Sequence, residues 1–305
     1  MSFKITILGS SGALPAYGRH PSAQLVEIQN RAFLVDCGEA TQMQLMRLQV
    51  NFHRINHIFI SHLHGDHYLG LMGLLYTMHL QKRVNNLHVY SHRGLDEIIT
   101  THLRYSRSAL VYKIIFHRLE KGAREVIFED EALTVETIPL SHKIRCSGFL
   151  FKEKSKPRRI DKTLLPSGLM LQQIGNLKKG DDVLDEAGNV IYRNSDLTLE
   201  PRKSRSYAYC SDTAFEKNLL QQIQDVDLLY HEATFLDADE AKAHETMHST
   251  AREAASIAQL AGANTLLLGH FSARYKDLSP MLEEARSIFP NCKLALEGEE
   301  FTVDD

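Results

Sequence analysis

The densest chemistry in this chain lies in one short stretch. His62-Leu63-His64-Gly65-Asp66-His67 places four groups able to bind a metal within six residues, directly after the strand-like run Ile58-Phe59-Ile60-Ser61. Imidazole and carboxylate are costly to bury unpaired, so such a cluster at the exit of a buried strand needs a partner, and coordination supplies one. His62 and His64, two apart on extended backbone, project to one side. Gly65 permits a sharp turn that sends Asp66 and His67 the other way. One loop of this kind can serve two adjacent ions. Three isolated residues fall where other apolar strands are expected to end: His142 after residues 133–138, Asp212 after 207–210 and His270 after 265–269. Layered α/β proteins carry ligands and catalytic groups at such strand ends. Nitrogen and oxygen donors without thiolate suit Zn²⁺, with Mn²⁺ or Fe as alternatives. Two ions together lower the pKa of a shared water toward ~7 and clamp an in-line displacement at phosphorus. The chemistry expected is therefore metal-assisted hydrolysis.

The elements that must position these groups are legible as alternating patterns. Short β-branched runs predict strands over 3–8, 23–28, 32–35, 55–60, 87–90, 114–116, 126–128, 133–138 and 148–151. Further strands are expected over 207–210, 227–230, 265–268 and 293–296, alternating with helices over 216–223, 250–260 and 280–288. Helices are also expected over 41–49 and 68–80. Thr250-Ala-Arg-Glu253 is a capping box, in which hydroxyl and carboxylate reciprocally satisfy free N–H groups at a helix start. Two sheets face to face with helices outside would bury every apolar face. His53, His57, His79, His88, His92, His102, His117 and His244 fall within elements or on polar surfaces and are assigned no role.

With 305 residues, 43% hydrophobic and 24% charged, the chain has the composition of a soluble globular protein and not of a disordered one. No apolar run reaches the ~18 residues of a membrane span, no signal peptide opens it, and a cytoplasmic location is expected. Cys37, Cys146, Cys210 and Cys292 are scattered without C-x-x-C, as buried reduced thiols would be. The formal charge of −3 conceals an asymmetry. Residues 152–179 hold eight cations against two carboxylates, a net of +6, which leaves −9 for the rest. Asp185-Glu-Ala-Gly188-Asn189 then reads as a hairpin turn. Loops beyond about 12–15 residues are commonly functional or disordered, and this one joins two strands that lead to site residues.

These motifs together resemble the metallo-β-lactamase superfamily, and within it the ribonuclease Z family of tRNA 3′-processing endonucleases, over nearly the whole chain. Asp36-Cys-Gly-Glu39-Ala-Thr41-Gln42 is similar to the family's early signature. Ser61 to His67 matches its metal loop, and His231-Glu-Ala-Thr234 and His248-Ser-Thr250 match two loops that set these nucleases apart. His270-Phe-Ser-Ala-Arg274-Tyr275 resembles the last ligand motif. The resemblance implies an α/β fold, a four-layer αβ/βα sandwich in a single domain over 1–305, with 152–200 as an inserted, protruding basic arm and hairpin. It implies two Zn²⁺ per subunit: His62, His64 and His142 at one, Asp66, His67 and His270 at the other, and Asp212 bridging. It further implies Asp66 as the proton acceptor that orients the nucleophile, and a Glu232–His248 relay in which His248 protonates the departing 3′ oxygen. Ser272 and Arg274 would hold the scissile phosphate, and Lys156, Arg158 and Arg159 would grip precursor tRNA. A homodimer is implied as well, with 41–49 and 68–80 as candidate interface helices. The arm departs from the family pattern: Pro166-Ser167-Gly168-Leu169 lacks the usual second proline.

Two other readings stand beside this one. A phosphodiesterase or arylsulfatase for small molecules needs the same site but no arm, so deleting 156–179 separates the two. A catalytically silent RNA-binding protein needs the arm but no working ligands, and turnover separates that.

Overall fold

The computed structural model describes residues 2–120, 122 and 124–304. The first part of the chain runs through β1 (Phe3–Gly9), β2 (Ala23–Ile28), β3 (Arg31–Val35), α1 (Thr41–Arg47) and β4 (Ile55–Phe59). Helices α2 (Gly65–Tyr68) and α3 (Leu71–Leu80), strand β5 (Leu87–Ser91), helix α4 (Leu95–Tyr105) and strand β6 (Ile114–Arg118) follow. A second sheet begins with β7 (Val126–Glu129), β8 (Leu133–Leu140) and β9 (Cys146–Glu153). Then comes the arm, with β10 (Arg159–Ile160), α5 (Leu171–Lys179), β11 (Val183–Leu184), β12 (Val190–Tyr192), α6 (Asn194–Leu197) and β13 (Thr198–Leu199). The body resumes with β14 (Ser206–Cys210), α7 (Leu220–Ile223), β15 (Leu228–Glu232), α8 (Glu240–Thr246), α9 (Ala251–Ala261), β16 (Thr265–Gly269), α10 (Ser279–Arg286) and β17 (Cys292–Leu294). The last strand, β18 (Glu300–Thr302), returns to the first sheet.

Each sheet has seven strands, in the orders β18-β1-β2-β3-β4-β5-β6 and β17-β16-β15-β14-β9-β8-β7. Strands β3 to β6 run parallel, as do β14 to β17, while the remaining neighbours are antiparallel. The inner faces meet in an aromatic-rich core that includes Phe33, Phe59, Phe149, Phe151, Tyr207 and Tyr230. Leu45, Leu71, Leu74, Leu75 and Ile99 cover the outer face of the first sheet, and the alanine stripe of α9 with Met281 covers that of the second. Helix, sheet, sheet and helix make four layers, because each sheet has two apolar faces to bury.

The expected helix over 68–80 is broken. Leu69 and Gly70 separate α2 from α3, where the Gly70 N–H leaves the helix to bond the Cys37 carbonyl at 3.0 Å, an approach only glycine allows since a Cβ would lie 2.0 Å from the Gly38 carbonyl oxygen. The break lets α2 turn His67 inward while α3 packs on the sheet. Thr250 caps α9 as the capping box predicts, with reciprocal bonds to Glu253. The arm is a small folded body and not a loop. Leu177, Val183 and Leu197 form its own apolar centre, Leu169 packs against it, and Met170 and Leu171 stay exposed. Among the described residues no helix is long and apolar enough to cross a membrane.

Candidate metal centre and its relatives

Each expected metal ligand, and Glu232, lies at or just past the carboxyl end of a strand. The loop after β4 brings His62, His64, Asp66 and His67; β8 leads to His142, β14 to Asp212, β15 ends at Glu232, and β16 leads to His270. Ligand atoms of His62, His64, His142 and Asp212 lie within 4.8 Å of one another, and so do those of Asp66, His67 and His270. Asp212 faces both sets. One oxygen is 3.5 Å from His62 Nε2 and 3.7 Å from His142 Nε2, and the other is 3.3 Å from His67 Nε2 and 3.2 Å from His270 Nε2. Asp66 Oδ2 sits 3.3 Å from His270 Nε2 and accepts the Ala13 N–H at 2.7 Å. Gly12 must lack a side chain here, since a Cβ would lie 2.7 Å from the His270 ring.

The surrounding hydrogen bonds fix which nitrogen of each ring faces the cluster. His62 Nδ1 meets Ser61 Oγ at 3.0 Å, His142 Nδ1 donates to the Met247 carbonyl at 3.0 Å, and His270 Nδ1 meets Thr234 Oγ1 at 2.9 Å. His67 Nδ1 donates to Asp36 Oδ2 at 2.8 Å. In the neutral rings of His62 and His142 the inward Nε2 is thereby left as a lone pair. His62 Nε2 and His142 Nε2 both approach His64 Nδ1, at 3.0 and 3.1 Å. His67 Nε2 is buried without any hydrogen-bond partner. A single His64 N–H cannot point at both lone pairs at once, whereas a cation among the three nitrogens serves all of them, and tetrahedral zinc with Zn–N of 2.0–2.1 Å separates its nitrogens by about 3.3 Å. The residues fit a pair of divalent ions.

The electrostatics divide along the same line. Burial, reinforced by neighbouring histidines, holds His62, His64 and His142 below the usual imidazole range, the neutral form a ligand needs. At His67 burial is outweighed by Asp212, Asp66 and Asp36, which raise it well above that range. A cation entering there must displace a proton.

A second constellation adjoins the first. His248 Nδ1 donates to Glu232 Oε1 at 2.7 Å, and Glu232, fully buried, also accepts from the Thr213 and Thr234 amides at 2.9 and 3.1 Å. Burial alone would lower the His248 pKa, but Glu232, aided by Asp212, pushes it up to about 9. Burial likewise disfavours the Glu232 carboxylate, yet His248 holds its pKa below the ordinary value. The loop that carries His248 also supplies the Met247 carbonyl to His142, with Met247 in the left-handed region at φ 58°.

The remaining expected residues lie further out. Ser272 and Arg274 share the turn after His270, where the Ser272 N–H bonds the Thr234 carbonyl and the Arg274 guanidinium stacks 6.0 Å over Phe235. Lys156, Arg158 and Arg159 are on the arm, away from this cluster in sequence and engaged locally. Lys156 meets Glu153 at 2.7 Å, Arg158 meets Glu200 at 2.8 Å, and Arg159 bonds the Glu200 carbonyl. All three line one groove of about 610 Å³ with Lys162, Lys178 and Arg202, over a floor that includes Ile160, Leu165 and Ile174. Asp36 is the site residue that sequence reasoning passed over. It is fully buried with φ 55° and accepts from Ser61 N, Ser61 Oγ, His67 Nδ1 and Tyr209 Oη. The Asp36-Cys-Gly signature was its only signal.

Two mixed sheets sandwiched between helices, with a His/Asp pair of half-sites at their strand ends, define a metallohydrolase of the β-lactamase superfamily. Residues 187–271 match the family described as β-lactamase superfamily domain, and residues 3–157 match that described as anti-Pycsar protein Apyc1. Relatives that match from end to end give the finer assignment. Ribonuclease Z of Cytophaga hutchinsonii is 50% identical over 305 residues, covering 100% of this chain and 97% of that protein. Ribonuclease Z of Bacteroides fragilis is 45% identical over 297 residues, 97% of each. Human tRNase Z, short form, superposes with a TM-score of 0.73 at 28% identity, covering 99% of this chain and 100% of that one. The chain belongs to the ribonuclease Z family.

Proposed function

We propose that this chain is a zinc-dependent endoribonuclease that removes 3′ trailers from precursor tRNA by phosphodiester hydrolysis and leaves a 3′ hydroxyl. The observation that carries the reading is the pair of half-sites sharing Asp212, with the Glu232–His248 couple beside them. His62, His64 and His142 would hold one ion, Asp66, His67 and His270 the other, and Asp212 both. When bound, the ions supply a water of lowered pKa and offset the charge of the phosphate. Asp66, pinned by the Ala13 amide, would take a proton from the attacking water and orient its oxygen toward phosphorus. His248, protonated at neutral pH, gives its proton to the departing 3′ oxygen, and Glu232 holds the ring and its charge in place. Ser272 and Arg274 sit next along the chain to His270, within reach of a phosphate held at the ions.

The arm groove is the RNA-binding element in this reading. Its six cations face phosphates, and shape recognition of folded RNA needs no base-reading motif. A homodimer accompanies the reading, supported by the exposed Met43 and Met46 of α1, Leu69 between α2 and α3, and Leu80 at the end of α3. Four buried, unbridged cysteines suit the reducing cytoplasm. The test is metal analysis of the purified protein together with incubation of an end-labelled tRNA precursor, mapping the cut to the nucleotide. Excising 156–179 alone would remove Leu177 from the arm's own centre, so the cleaner control replaces 157–202 with a short linker. Loss of tRNA cleavage with retained hydrolysis of a small chromogenic diester is the expected result. Equal loss of both refutes the assignment of the arm.

A further inference from the structure

The arm leaves the body after β9 and returns at β14, and a buried ion pair lies across that junction. Glu153 and Arg205 are only 2% and 3% exposed. The pair is bidentate, with Arg205 Nε to Glu153 Oε2 at 2.9 Å and Nη2 to Oε1 at 2.8 Å. The backbones are joined by the Glu153 N–H, which donates to the Arg205 carbonyl at 2.9 Å, and the Arg205 N–H donates to the Glu153 side chain at Oε2, 3.1 Å away. Lys156, the first cation of the arm groove, reaches the same carboxylate at 2.7 Å. The guanidinium extends beyond its own sheet. Its Nη1 donates to the Val303 carbonyl at 3.0 Å, and its carbon lies 5.5 Å from the Phe3 ring, both on the opposite sheet.

A buried ion pair is a poor way to stabilise a fold. Desolvation consumes most of the attraction, and apolar residues of similar volume are often neutral or better there. What such a pair does provide is one geometry, because two fork-to-fork bonds fix direction as well as distance. Apolar side chains would fill the space without setting an angle. The arm is itself a small packed body, so an angle fixed at its root is carried to its groove.

We propose that Glu153 and Arg205 are positioning residues that set the direction of the arm against both sheets, so that groove and metal centre engage one RNA together. This rests on the reading of the arm as the RNA-binding element. Two sites that bind one ligand gain avidity only while the geometry allows both to engage at once. Losing that direction therefore weakens RNA binding and leaves the chemistry of the metal centre intact.

The test is the double variant Glu153→Met/Arg205→Met, compared with the native protein on precursor tRNA and on bis(p-nitrophenyl) phosphate. The expected result is an unfolding temperature at or above the native value, unchanged turnover of the small diester, and a KM for precursor tRNA raised on the order of tenfold or more. Native KM for tRNA overturns the proposal, as does parallel loss on both substrates, which would mean that the pair only maintains the fold. Failure of the native protein itself to cut tRNA, with the small diester still hydrolysed, removes the underlying reading instead and the proposal with it. A second measurement is independent of the variant's folding. All four native cysteines are buried, so spin labels can be directed to Leu171→Cys on the arm and Leu260→Cys on α9, both exposed. With labelled subunits diluted in an excess of unlabelled protein, so that only distances within one subunit are read, a single narrow distance distribution is expected, and a broad one overturns the proposal.

Discussion

Replacing Asp36 by asparagine should weaken one of the two metal half-sites proposed above far more than the other. Asp36 touches no expected ligand atom except through His67's outer nitrogen, yet its Oδ2 receives His67 Nδ1 at 2.8 Å, Tyr209 Oη at 2.7 Å and Ser61 Oγ at 2.9 Å, and its Oδ1 receives Ser61 N–H at 2.7 Å. An amide has a single oxygen. Turned toward His67, it sets its NH₂ against the Ser61 amide; turned the other way, it opposes three donors. Either way at least one fully buried donor is orphaned, a loss of about 1–3 kcal/mol in stability. His67 also loses the carboxylate that fixes its tautomer, and losing a ligand's outer partner typically weakens metal binding about 10–100-fold. The half-site built from Asp66, His67 and His270 should feel that change directly, and the other only at one remove, through Ser61 Oγ, which also meets His62 Nδ1 at 3.0 Å. Competition with a fluorescent zinc chelator at fixed pH would resolve it, as an isotherm with one native and one weakened step. Two native steps, or equal weakening of both, would refute the argument from hydrogen bonding.

Further expectations concern other parts of the molecule. His248 is held up to about 9, so its acid form is present at neutral pH and lost as pH rises; kcat for tRNA cleavage should fall above about 9. Glu232→Gln should move that falling limb toward acid, and an unmoved limb would remove Glu232 from the relay. Lys162→Ala and Lys178→Ala alter groove cations that have no ion pair among the described residues. For every phosphate such a variant no longer neutralises, the log–log salt dependence of RNA binding should flatten by about 0.7–0.9, whereas an unchanged slope would place the RNA elsewhere. Gly269→Ala would put a Cβ 2.3 Å from Tyr230 Oη. Overpacking of that order should cost about 1–3 kcal/mol in a thermal melt, and should disturb His270 next to it.

Much of the centre was legible because its signals are local. The metal loop, the strand ends before His142, Asp212 and His270, and the capping box of α9 each lie within a few consecutive residues. What was not legible depends on partners distant in sequence. Asp36 meets Ser61, His67 and Tyr209, which no spacing rule connects. The arm's folded character rests on Leu177, Val183 and Leu197, three apolar residues scattered through polar sequence, so it reads as a charged loop. Strand β18 is three residues long and exists because Phe301 pairs with Ile5. Helix α4 is a different case. Leu95, Ile99 and Leu103 recur at helical spacing behind Asp96 and Glu97, a pattern the sequence displays and the strand-based reading passed over.

The half-sites are also divided between the sheets. His62 and His64 come from the first and His142 from the second; Asp66 and His67 come from the first and His270 from the second, with Asp212 completing both. Neither sheet therefore carries the whole of either proposed half-site. In the metal enzyme proposed above, affinity for metal would report on whether the two faces of the sandwich have closed correctly, and each bound ion would act in return as a rivet whose hold grows with the free ion concentration. A misassembled molecule would be inert as well as loose.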